Sequence, residues 1–102
     1  PHSKSREIIE GINLEDKILL IGHCESPEFY LQLKKHKKYS HINIHYKIQY
    51  YKQRLDSAGY DWIILNGGGV PTYQKITIAS NGGYIEIDTI KQKENIYLWK
   101  KI

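Results

Sequence analysis

The apolar positions of this chain change their spacing several times, and each change marks an element. In "SREIIEGIN" the residues Ile8, Ile9 and Ile12 share one helical face. Gly11 weakens that pattern, so it predicts a short N-terminal helix of about two turns. "DKILLIGH" holds an unbroken apolar run from Ile18 to Ile21 and ends at Gly22. A run apolar on both faces predicts a central strand covered by helices on each side. "ESPEFYLQLKKHKKY" predicts a helix with Ser26 as N-cap, Pro27 at the first position and Glu28 in the first turn. Phe29, Tyr30 and Leu33 form its inner face, and Lys34, Lys35, Lys37 and Lys38 load its C-terminal turn, where cations are favoured.

"HINIHY" alternates strictly and predicts a strand, with Ile42 and Ile44 on one face and His41, Asn43 and His45 on the other. "IQYYKQRLDSAGY" places Ile48, Tyr51, Leu55 and Ala58 at helical spacing, with Gly59 in the left-handed position after the helix. "DWIILN" is the next strand. Residues 72–80 read either as a short helix or as a strand, because Ile76, Thr77 and Ile78 are β-branched. Residues 84–90 and "NIYLWKKI" read as two antiparallel strands joined by "KQKE".

Strands that alternate with helices imply right-handed crossovers and a parallel sheet. The expected fold is a single small three-layer α/β domain over residues 1–102. Its sheet is mostly parallel, with an antiparallel C-terminal edge strand or hairpin. Ligands on such sheets bind beyond the carboxyl ends of the strands. Those ends are Gly22-His23-Cys24, Tyr46-Lys47 and Asn66 with the glycine triplet Gly67-Gly68-Gly69.

Composition narrows this picture only slightly. At 102 residues the chain suffices for one domain, and no apolar run approaches the roughly 20 residues that span a bilayer. A single cysteine excludes an internal disulfide and makes a reducing, cytoplasmic setting the default. The chain contains no Met, so either its start was trimmed or it is a domain of something longer, part of a larger protein or assembly. The net charge of +4 permits an anionic partner such as nucleic acid or a phosphorylated ligand.

The run "DKILLIGHCESPEF", followed by "YDWIILNGGGVP" and "SNGGYIEID", resembles the skeleton of a class I S-adenosylmethionine-dependent methyltransferase, a Rossmann-like fold. The isoaspartate and precorrin branches of that family are the most similar. The resemblance implies a methyltransferase-like domain that binds S-adenosylmethionine through Gly22, His23, Gly67, Gly68 and Gly69. The family's acidic-x-Gly-x-Gly loop is here Ile21-Gly22-His23-Cys24-Glu25, with one glycine. "HINIHYK" also ends without the family's ribose-binding acid. No catalytic residue is assigned.

Other constellations carry weaker chemistry. Cys24 precedes a capped helix, which lowers a thiol pKa, but Glu25 and Glu28 oppose a thiolate. A semi-buried structural thiol is the simpler reading. Along one strand His41 and His45 are roughly 13 Å apart, too far to share a metal. No metal site is expected. Glu86 and Asp88 share a strand face and echo a nuclease hairpin, but Trp99 falls where its second acid belongs. A solvated edge face is the plainer account. The alternative function is a basic nucleic-acid-binding or nuclease-like module using Lys34, Lys35, Lys37, Lys38 and Lys47. Tyr46, Tyr50 and Tyr51 cluster close to Lys47 and Lys52 as candidate stacking platforms for single strands, with Tyr51, at helical spacing, read as core.

Overall fold

A computed structural model describes residues 9–22, 27–36, 38–87 and 96–102, with the backbone alone at 27–30. Five strands and three helices are present among them: β1 (Ile18–Gly22), α1 (Pro27–Lys34), β2 (Tyr39–Ile42), α2 (Ile48–Ser57), β3 (Trp62–Asn66), α3 (Gly69–Ala79), β4 (Tyr84–Ile87) and β5 (Ile96–Lys101). Residues 9 and 10 are helical, and the rest of the expected N-terminal helix lies outside the described residues. No described helix is long and apolar enough to cross a membrane.

The strands form one sheet in the order β2-β1-β3-β5-β4. β1 pairs in parallel with β2 and with β3, while β5 pairs antiparallel with both β3 and β4. The expected mostly parallel, Rossmann-like sheet is therefore corrected to an evenly mixed one. The C-terminal strand is not at the edge either; it sits between β3 and β4. The reason is chemical. Ile96 to Trp99 are buried on both faces, whereas β4 is only half-buried. A strand apolar on both sides gains most from an interior place.

Core residues cover both faces of the sheet. On one face Leu19, Ile21, Ile63, Leu65, Tyr97 and Trp99 pack with Tyr51 and Leu55 of α2 and Ile76 of α3. On the other, Ile18, Leu20, Ile64 and Leu98 pack with Leu33 of α1 and with Ile9 and Ile12. The unbroken apolar run of β1 thus supplies both cores. Each fully buried Leu or Ile there contributes about 2 kcal/mol.

Three boundaries differ from expectation. β2 begins at Tyr39 and ends at Ile42, because it pairs residue by residue with Ile18 to Ile21. Ile44 keeps the alternating period but has left the sheet to pack against the core from a loop. α1 stops at Lys34, so Lys35 and Lys38 lie beyond the helix they were expected to cap. Gly59 is not in the left-handed region, since α2 ends with Ala58 already extended.

Residues 72–80 belong almost wholly to α3, which settles their ambiguity in favour of a helix. The triplet Gly67-Gly68-Gly69 runs into its first turn, and Pro71 occupies that turn, where a missing N–H costs nothing.

Candidate functional site

β1, β2 and β3 point the same way, so their carboxyl ends lie side by side. There Gly22 stands opposite Asn66. The two backbones approach so closely that a Cβ on Gly22 would lie 2.0 Å from the Asn66 carbonyl oxygen. The φ of Gly22 is 108°, a second reason for glycine. Nε2 of His41 lies 2.5 Å from the Gly22 carbonyl oxygen. A carbonyl only accepts, so His41 donates from Nε2.

Beyond these ends the chain diverges. After β1 it leads to α1, whose Leu33 is in one core; after β3 it leads to α3, whose Ile76 is in the opposite core. Adjacent parallel strands with connections leaving to opposite faces are where open α/β sheets form a crevice. His23 and Cys24 lie outside the described residues, as does Lys37.

The glycine triplet is a left-handed run, with φ of 100°, 77° and 64° at Gly67, Gly68 and Gly69. Its members have different surroundings. A Cβ on Gly68 would lie 2.4 Å from Thr72 Oγ1 and 2.9 Å from Ile44 Cδ1. The Thr72 hydroxyl donates to the Gly68 carbonyl at 3.0 Å. Packing by the protein itself therefore accounts for Gly68. At Gly69 the nearest atom to such a Cβ is Pro71 Cδ at 3.7 Å, an ordinary contact. Gly69 is a glycine for its φ alone, and space remains beside it.

The lysines do not form one patch. Lys34 and Lys35 follow the outward run of α1, and Lys38 immediately precedes β2, where its carbonyl accepts from Ile18 N–H at the amino end of the sheet. Lys47 follows β2 at the opposite end, with its Nζ 5.5 Å from the centroid of the Tyr46 ring.

The loop from β2 to α2 holds what sequence reasoning found only in part. His45 stacks on Tyr46 at 4.7 Å and 14°, and on Tyr50 at 4.4 Å and 23°. The three rings form one column with His45 in its middle. The signal was present in "HYKIQYY", but His45 read as one residue of an alternating strand. Tyr51 turns inward from the same segment and is buried. Burial pushes its hydroxyl pKa up, against the lowering effect of its bond to the His45 backbone.

Glu86 is not on a solvated edge face. The Tyr73 hydroxyl of α3 donates to Glu86 Oε1 at 2.5 Å, beside the packed rings of Tyr97 and Trp99. Asp88, its expected neighbour in a nuclease-like pair, lies outside the described residues. No group of three His, Cys, Asp or Glu side chains among the described residues is placed to hold a metal ion.

A cavity of about 280 Å³ opens at the other end of the molecule, lined by Lys52, Asp56, Gly59, Ser80, Tyr84 and Lys101, among others. Nothing in the residue pattern marked it, because its walls come from the ends of α2, α3 and β5. Burial also raises the pKa of Tyr84, assisted by the negative charge of Asp61 and by Tyr60.

Comparison of the chain with protein-family models, with curated proteins and with solved structures finds no match.

Proposed function

We propose that this domain binds a small anionic ligand at the carboxyl ends of β1 and β3. One observation carries the reading: these hydrogen-bonded neighbours send the chain to opposite faces of the sheet at Gly22 and Asn66. The start of α3 supports it. Its first amides have no acceptor within the helix, and the helix dipole is positive there. The backbone of Gly67 and Gly69 is the ledge on which the anion rests, and Gly22 is its floor.

S-adenosylmethionine, the cofactor that the family resemblance implies, is one candidate ligand. A phosphate-bearing ligand suits the chain better. The positive dipole end at the start of α3 favours a phosphate, whereas the reactive centre of S-adenosylmethionine is a sulfonium cation. Binding is the function proposed, with no catalytic step assigned.

Calorimetric titration with ADP and, separately, with S-adenosylmethionine tests the reading. Saturable heat with ADP that weakens about tenfold in Gly69→Ala supports it, because that change adds a methyl at the ledge without an internal clash. Heat with S-adenosylmethionine alone favours the methyltransferase-like alternative. Silence from both ligands at millimolar concentration rejects a ligand site here.

A further inference from the structure

The ring column and the outer face of α2 form a second surface, built from other residues than the crevice. We propose that this surface binds single-stranded nucleic acid, with a base stacked on Tyr46 and phosphates held by Lys47 and Arg54.

The column is exposed where a base would land. Tyr46 is 70% exposed and Tyr50 37%. Bases stack readily on tyrosine faces whatever their identity. The column is also held rigid before any ligand arrives. The Tyr51 hydroxyl bonds both the amide and the carbonyl of His45. The Lys47 amide donates to His45 Nδ1 at 3.0 Å. That bond uses Nδ1 as an acceptor and orients the middle ring of the column. A platform already ordered loses little entropy on binding.

From Tyr50 a shallow groove continues along the helix, lined by Tyr50, Gln53, Arg54 and Ser57. Among the described residues its lining includes a cation and two neutral polar side chains but no carboxylate. The nearby acid of α2, Asp56, lines the cavity on the helix's other side. Arg54 is oriented by its Nε–H bond to the Tyr60 hydroxyl at 3.0 Å. The Lys47 Nζ lies over the Tyr46 ring, 5.5 Å from its centroid, at the groove's other end. Rings flanked by cations complement a flexible polyanion with accessible bases. The net charge of +4 adds a general attraction.

The test is fluorescence anisotropy with a labelled oligo(dT) of about twelve nucleotides, a length within the span of single-strand sites. Two cationic contacts predict a log–log salt slope of about −1.4. Tyr46→Ala is expected to weaken binding about tenfold, and Tyr46→Phe, which keeps the ring, to leave it unchanged. Lys47→Gln is expected to make the slope shallower by about 0.7. Lys34→Gln and Lys35→Gln, at the other end of the sheet, are expected to matter little. Circular dichroism of each variant checks that it is folded. Absence of binding at low salt, or equal binding by Tyr46→Ala, overturns the proposal. So does self-association that Tyr46→Ala abolishes, since a second copy of the chain then occupies this surface.

Discussion

The Tyr51 hydroxyl satisfies both backbone groups of His45: it donates to the carbonyl at 2.8 Å and accepts from the amide at 2.5 Å. A buried helix residue thereby fixes the conformation of the loop before its own helix. Tyr51→Phe keeps the ring in the core but leaves two backbone groups without that partner. We expect a loss of about 2 kcal/mol, seen as a lower urea midpoint at unchanged m-value. An unchanged midpoint means the loop is held by other contacts.

Alkaline pH should act on the same hydroxyl. Tyr51 and Tyr84 both have raised pKa values in the fold, chiefly through burial. A raised folded value means that the unfolded chain ionises first, near pH 10. The stability these two groups contribute is fully present below that pH and is lost as pH rises through the folded values. Urea midpoints are therefore expected to decline from about pH 10 upward on this account. The double variant Tyr51→Phe/Tyr84→Phe should show a flatter profile. An equally steep decline in that variant would assign the effect to other groups.

Gly22, at the end of β1, and Gly69, at the start of α3, should respond differently to alanine. Gly22→Ala drives a methyl into the Asn66 carbonyl and forces φ away from 108°. A loss of about 3 kcal/mol or more is expected, enough to unfold a marginal domain. Gly69→Ala meets only the left-handed φ of 64° and should cost about 1 kcal/mol. Thermal melts of the two variants give the comparison; equal losses would contradict the packing at Gly22.

The two tryptophans report on different surroundings. Trp99 is 2% exposed and packs with Tyr73 and Tyr97. Trp62 is half-buried, its indole N–H bonded to Asp16 at 2.9 Å and its ring under Lys100. Iodide should quench Trp62 and spare Trp99, so Trp62→Phe removes the quenchable fluorescence. Trp99→Ala should cost about 4 kcal/mol by loss of packing. Strong quenching of the Trp62→Phe protein would place Trp99 at the surface.

Much of the element order was legible because burial leaves a local trace. The run from Ile18 to Ile21 read as a strand covered on both faces, and it feeds both cores. "DWIILN" became β3, and the pattern of Ile48, Tyr51 and Leu55 became α2. The end of β2 was misread for a local reason. Ile44 continues the alternation of Ile42, yet its partner is the glycine loop, not a strand. Of the site, Gly22 and the triplet were placed at the strand ends by order alone. The ring column was only half legible, since a period-two pattern put His45 on a strand face and apart from Tyr50.

What the chain determines by itself is which segments outside residues 72–80 are helix or strand and which strand ends carry glycine. Periodicity, capping residues and left-handed turns are properties of neighbours in sequence. Tertiary structure alone decided the place of β5. An apolar strand can pair on either side of β4 or beside any parallel strand, and only the joint burial of Ile96 to Trp99 against β3 selects the interior. It also decided that Gly68 is filled by Thr72 and Ile44 while Gly69 stays open, and that His45, Tyr46 and Tyr50 share one axis. Those are contacts between segments, and no local pattern encodes the distance between them.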